Sequence, residues 1–342
     1  MKKTSLLLFG FMSILLFSQK LKTQTLLKDK ISIRALQIWD GKVWYTGTDS
    51  KFGYVSLKDT ADKKQIKLSE NKLQFRTLGQ DQHAFYAVNI ESPAYFFKID
   101  KTSLKSEIVF KDTAKTAFYD ALHFIDNEYA FALSDSDEER HLKLATYNFK
   151  DKETWVTDHK EFQNTKMAEG EAAFAASNSN IASVGNYLWI ATGGKSARVF
   201  RLDFKTDRWQ IFNTPFIQGT SSQGIYSIDF YDKNFGIAVG GDYTKQAENI
   251  NNIATTHDGG ETWQIQASGK NGGYKTCVKI RPKSKGKDII AVGDQNIEFS
   301  SDYGKTWTKI SDEKGLFVCD WIDANTLVFA GKDKILKMKI EL

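Results

Sequence analysis

Three carboxylates are the first candidates for chemistry in this 342-residue chain: Glu169, Glu171 and Asp242. They fall on its two longest insertions, Thr165 to Asn178 and Asp242 to Asn252, and long loops are where binding and catalytic residues concentrate. Two carboxyls flanking a sugar, with Tyr243 or Tyr226 completing the site, would suit glycoside hydrolysis, in which one carboxyl donates a proton and the other acts as nucleophile or base. The structural reading of the same residues is that they hydrogen-bond loop backbone or pair with Arg198. A second group comprises Arg34, Arg76, Lys195, Arg198, Gln223 and Lys275, with Glu171, Asp242, Tyr226 and Tyr243. It could anchor a protein or peptide, because Arg and Tyr are suited to interfaces. For any single member, plain solvation explains it equally well.

Other chemistries are excluded by pattern. The five histidines (His83, His123, His141, His159, His257) are scattered without ligand spacing, so no metal site is expected. A dinucleotide enzyme needs a glycine-rich turn from strand to helix, whereas the paired glycines here end strands, so no cofactor is expected. Lys and Arg total 47 against 42 Asp and Glu, a net charge of +5, and the two signs alternate along the chain. With no basic stripe, a nucleic-acid partner is not expected. Cys277 and Cys319 allow one bridge, or are simply buried thiols; both fall on innermost strands of neighbouring repeats.

The elements that must position these residues are strands. Aromatic residues make up 13% of the chain, with 24 glycines and only 3 prolines, which favours strands and tight turns over helices. One pattern recurs seven times: an apolar strand, a polar turn and a second strand ending in small residues. The first strands are Ile33 to Ile38, Gln74 to Leu78, Phe118 to Phe124, Asn180 to Val184, Ile225 to Phe230, Lys275 to Ile280 and Phe317 to Ile322. A third strand follows each pair, and usually a fourth opening at an aromatic, as at Trp155, Trp209, Trp263 and Trp307. The expected fold is all-β: a seven-bladed β-propeller with four-stranded blades. Its last unit lacks a fourth strand, so Thr23 to Lys28 is expected to pair there and close the ring.

Lys2 and Lys3 before the apolar run Ser5 to Phe17 match a secretory signal, with cleavage expected after Ser18. The run is too short to span a bilayer and nothing later approaches the required length. The expectation is therefore a signal peptide over 1–18 and one propeller domain over 19–342, exported to the periplasm or beyond, with no transmembrane segment after signal removal.

Two segments match each other closely: Thr256-His257-Asp258-Gly259-Gly260-Glu261-Thr262-Trp263 and Ser300-Ser301-Asp302-Tyr303-Gly304-Lys305-Thr306-Trp307. They resemble the Asp-box, or BNR repeat, and Asn148 to Trp155 resembles a degenerate third copy. The resemblance implies a turn between third and fourth strands in which Thr256, Asp258, Gly260, Thr262 and Trp263, and Ser300, Asp302, Gly304, Thr306 and Trp307, are structural. Gly170-Glu171-Ala172-Ala173-Phe174-Ala175-Ala176-Ser177, Ala191-Thr192-Gly193-Gly194 with Ala197-Arg198-Val199-Phe200, and Gly240-Gly241-Asp242-Tyr243 widen it. On these the chain resembles bacterial relatives of the photosystem II stability and assembly factor family, within the WD40/YVTN-like propellers.

That resemblance implies a non-catalytic scaffold for a protein or peptide, of the assembly-factor kind, acting on an envelope protein. The alternative is a sialidase-like or glucanase-like hydrolase using Glu169, Glu171, Asp242 and Tyr243, since such enzymes are also Asp-box propellers. Sialidases carry an Arg-Ile-Pro signature near their start, and Phe75-Arg76-Thr77-Leu78 breaks it here.

Overall fold

Alternation of apolar and polar residues sets the strands, and burial on both faces selects which of them are continuously apolar. Ala84–Val88 and Ile289–Val292 are buried along their whole length, whereas Lys63–Lys67 and Arg208–Asn213 are mostly exposed. Burial thus falls from the axis of a ring to its rim. The computed structural model describes residues 21–125, 129–148, 152–157 and 165–340. The expected signal segment, His159 and the middle of the degenerate third repeat lie outside them.

The strands form twisted antiparallel sheets stacked around an axis, a β-propeller, but the blade count is corrected. Among the described residues they join into six hydrogen-bonded sheets, so the propeller has six blades and not the seven four-stranded blades expected. The reason lies at the closure of the ring. Strand Leu21–Trp39 pairs with Thr326–Ile340 through its first part, Thr23 opposite Met338 and Lys28 opposite Lys334. Through its second part it pairs with Lys42–Gly47, Leu36 opposite Tyr45. The first and last repeats therefore share one strand and merge into a six-stranded sheet, in the order Leu316–Trp321, Thr326–Ile340, Leu21–Trp39, Lys42–Gly47, Lys51–Ser56, Lys63–Lys67. Sequence periodicity counts innermost strands, whereas a blade is counted by unbroken hydrogen bonding.

Thr326–Ile340 doubles back at Asp333, whose φ is 63°. The Ile340 N–H bonds the Asn325 carbonyl at 2.8 Å, while a straight strand of that length would hold them about 50 Å apart. In the fifth sheet the two-residue strands Glu171–Ala172 and Gly193–Gly194 extend the inner edge of Gln223–Phe230. That sheet also has six strands, and the other four sheets have four each.

Apolar side chains fill the gaps between sheets. Trp189 stacks on Phe230 at 3.8 Å between the fourth and fifth sheets, and a larger cluster around Leu36, Val292, Cys319, Phe329 and Met338 joins the sixth sheet to the first. The segments Thr256 to Trp263 and Ser300 to Trp307 fold alike. Asp258 accepts the Thr262 N–H at 2.9 Å and the Thr256 hydroxyl at 2.8 Å; Asp302 accepts the Thr306 N–H and the Ser300 hydroxyl, both at 2.9 Å. Trp263 and Trp307 donate their indole N–H to the carbonyls of Gly260 and Gly304, residues at φ 91° and 80°. Burial would raise both aspartates, but the bonds they accept outweigh it and hold them below the ordinary value. With their oxygens engaged in the turn, these aspartates shape backbone.

Candidate functional site

The centre of the ring is not an open channel. The segment Ala173 to Ser179, between the short strand Glu171–Ala172 and the innermost strand Ile181–Val184, crosses the axis and is hydrogen-bonded to residues in or beside five sheets before it runs into the remaining one. Arg34 Nη1 in the first sheet donates to the Ala176 carbonyl at 3.0 Å, and Arg76 Nη1, just before the second sheet, donates to Ala175 O at 3.3 Å. Asn178 accepts the Leu122 N–H at 2.7 Å and donates to the carbonyls of Leu78 and Leu122 at 2.9 and 3.2 Å. Ser177 donates to the Thr276 carbonyl at 2.6 Å, and the Ser179 and Ser227 hydroxyls share a bond of 2.7 Å. The alanines and serines of this segment let it pass between the innermost strands.

It divides the axis into two cavities. On one side Ala173 to Ala176 form the floor of a mouth of about 560 Å3, walled by Arg34, Arg76, Phe118, Tyr226, Tyr274 and Phe317. On the other, Ser177 to Ser179 cap a polar cavity of about 320 Å3.

Two guanidinium groups dominate the mouth. Arg34 lies 4.1 Å over the Phe317 ring, and burial, with Arg76 adding to it, draws its pKa down to about 10. Burial lowers Arg76 as well. Neither touches a carboxylate among the described residues; Asp294, Asp120 and Glu91 act on them at longer range. Around them Phe174 stacks on Tyr226 at 3.9 Å, Tyr226 meets Tyr274 edge-on at 4.8 Å, and Tyr243 overhangs half exposed. Tyr226 is fixed by its hydroxyl, which donates to the Ser222 carbonyl at 2.7 Å.

Asp120 sits on the wall, fully buried, with no side-chain donor among the described residues on its carboxyl and only the Ala175 N–H of the axial segment acting on it. Burial, and then the neighbouring Asp135, push its pKa well above the ordinary value. Asp135 is itself raised to about 6 by burial.

The structure separates the residues singled out from the sequence. Arg34, Arg76, Tyr226 and Tyr243 converge on the mouth, while Glu171 points inward. Its side chain is fully buried and receives Arg198 Nε at 3.1 and 3.0 Å, Arg198 Nη2, the Thr192 hydroxyl and the Ala168 N–H at 2.6 Å. Glu169 is exposed and pairs with Lys195 at 3.2 Å. Asp242 is buried and turns its carboxylate on Thr244 and Gln223; burial pulls its pKa up, and the Thr244 bonds overcome that and lower it. None of these three carboxylates lines the mouth. Lys275 is fully buried in an ion pair with Glu298 at 2.7 Å and is not free to meet a partner.

Behind this region the backbones touch: a side chain on Gly224, at φ 134°, would bring its Cβ within 2.3 Å of the Gly193 Cα. Only glycine is compatible with that contact.

Sequence reasoning missed Asp120, Asp135, Phe118, Tyr274, Asp294 and Phe317. A signal existed, for Arg34, Arg76, Phe118, Tyr226, Tyr274 and Phe317 stand at or just before the start of successive innermost strands. No group of three or more His, Cys, Asp or Glu among the described residues could hold a metal ion, and no helix among them is long and apolar enough to cross a membrane.

No family model matches this chain, and the search of curated proteins gives no match. Solved structures share the fold. A propeller described as "YCF48 bound to D1 peptide" superposes with a TM-score of 0.65 at 12% identity, over 94% of this chain and 97% of that one. "Crystal structure of RRP9 WD40 repeats" gives 0.65 at 11% identity over 93% and 97%, and "Structure of U3-55K" gives 0.63 at 12% over 93% and 98%. At such identities the likeness is one of β-propeller architecture.

Proposed function

We propose that this protein is an exported, non-catalytic propeller of the Asp-box type that binds a protein or peptide partner at the Arg34–Arg76 mouth, as an assembly or stability factor for an envelope protein. The observation that carries this reading is the mouth itself: two half-buried guanidinium groups that contact no carboxylate among the described residues, ringed by aromatic faces. Such a surface suits an extended segment that brings a carboxylate to the arginines and apolar side chains to Phe174, Tyr226, Tyr243 and Tyr274. A solved propeller of the same fold described as bound to a peptide supports the choice of partner. The export step rests on the leader-like start of the chain. The hydrolase alternative read from the sequence would use Glu169, Glu171 and Asp242, but Glu171 and Asp242 are engaged within the fold and Glu169 pairs with Lys195, so these three do not face one cavity.

The test is affinity capture from the native cell with the wild type and with the Arg34→Gln, Arg76→Gln double variant. A specific partner recovered by the wild type is expected to be lost from the variant by tenfold or more. Equal recovery by both would remove the mouth from consideration, and turnover on a panel of glycosides that disappears in Asp242→Asn would overturn the non-catalytic reading.

A further inference from the structure

The second cavity, on the far side of the axial segment, contains chemistry that partner binding does not use. Cys277 and Cys319 lie on the innermost strands Cys277–Ile280 and Leu316–Trp321, which belong to different sheets and meet at the axis. Both are free thiols, and their sulfurs are 3.9 Å apart. The Ser179 hydroxyl donates to Cys277 Sγ at 3.7 Å, and the Cys277 thiol approaches the Cys319 carbonyl at 3.7 Å.

The two groups that touch the Cys277 sulfur, Ser179 and Cys319, both line the 320 Å3 cavity. Its walls also carry Gln37, Gln80, His123, Asp229, Lys279 and Asp320, all partly exposed, so solvent reaches the cavity; Cys319 lines it, and Cys277 is buried directly behind Cys319 and Ser179. An apolar core that merely stores thiols would not place a charged lysine and two aspartates beside them.

From this geometry we propose that Cys277 and Cys319 form an oxidation site, a dithiol that a small peroxide converts into a disulfide joining the sixth sheet to the first. The Cys277 thiolate attacks one peroxide oxygen; the S–O bond forms, the O–O bond breaks, and the departing hydroxide takes the Cys319 proton to leave as water. Cys319 sulfur then attacks Cys277 sulfur, the S–S bond forms, the S–O bond breaks, and the sulfenic oxygen takes up a proton and leaves as a second water. Two thiols are oxidised by two electrons and one peroxide is reduced.

The surroundings favour that order of events. The Cys319 thiol, donating to Cys277, draws the Cys277 pKa down to about 7, with Lys279 assisting against burial. Burial, and then Cys277, hold the Cys319 thiol high. Lys279 stays charged, since Asp320 and Asp229 outweigh the lowering by burial, while burial and then Lys279 keep His123 neutral, near 4. The proposal is independent of what the mouth on the other side binds.

The experiment uses the full chain, reduced and then exposed to stoichiometric hydrogen peroxide at neutral pH, with intact mass and thiol alkylation under denaturing conditions as readouts. The expected result is a loss of about 2 Da and of both alkylatable thiols, reversed by dithiothreitol. Bridging residues 42 apart in sequence should also raise the thermal midpoint by about 5 °C. Cys277→Ser and Cys319→Ser should show neither effect. Two alkylatable thiols after treatment, or stepwise oxygen addition without loss of hydrogen, would overturn the proposal on the wild type alone, whether or not the serine variants fold.

Discussion

Replacing Glu171 by glutamine separates a structural carboxylate from a catalytic one. Its side chain has no exposure and serves four donors, two of them from Arg198, whose own side chain is 17% exposed and keeps one further bond to the Lys166 carbonyl at 3.0 Å. Glutamine removes the negative charge and turns an amide N–H2 toward a guanidinium that cannot accept. Breaking one partner of a buried pair costs about 3–5 kcal/mol; the residual exposure and the retained carbonyl bond reduce this to about 2–4 kcal/mol. For a folded ring of this size that corresponds to a fall of about 3–6 °C in the midpoint. Urea titration of Glu171→Gln, Arg198→Met and the double variant measures it. The two single losses should fail to add by about 1.5 kcal/mol or more, because the double variant leaves no charge unpaired. A Glu171→Gln protein within about 0.5 kcal/mol of wild type, with additive singles, would refute the assignment of this carboxylate to the scaffold.

Two further perturbations probe the axis. Asn178→Ala deletes three bonds to buried backbone and should lose about 3 kcal/mol in denaturant titration. Asn178→Gly, which suits the φ of 57° better, should fall nearly as far if the bonds are decisive; a near-wild-type glycine variant would show that backbone conformation alone matters there. Because Asp135 is raised to about 6 when folded, the folded chain holds more protons than the unfolded chain between about pH 4 and 6, so its contribution to stability falls as pH rises through that window. Asp120 acts with the same sign. Asp135→Asn should flatten the slope and gain stability at pH 7 relative to wild type; an undiminished slope, followed by calorimetry from pH 4 to 7, would assign the dependence to other groups.

Much of this architecture can be read from residue order. The strand pairs are legible because each innermost strand and its partner carry local alternation, as in Tyr119–Ile125 and Tyr129–Ser134, and the matched turns at Asp258 and Asp302 are local hydrogen-bonding devices. The pairing of Thr23 to Lys28 with Ile335 to Ile340 also follows, since an unfinished sheet edge needs a partner. The blade count does not follow, because nothing in the composition of residues 29 to 32 shows that one strand continues through them from the last repeat into the first, across an irregularity in the pairing. Nor does the axial segment: Ala173 to Ser179 has the small, unpatterned residues of a surface loop, and its partners come from five distant stretches of chain. Asp120 was hidden for a related reason. A single acid in Phe118 to Phe124 resembles the polar half of an alternating strand, and only the meeting of strands at the axis shows that it has no solvent to face.

The threaded segment changes how the ring should come apart. In an open array of repeats each unit leans only on its neighbours, so an end can fray while the middle survives. Here a single strut acts as a hub, and withdrawing it strips hydrogen bonds from five sectors at once. Loss of order is therefore expected to be concerted, and a ligand that grips the hub through the mouth would stiffen sectors it never touches.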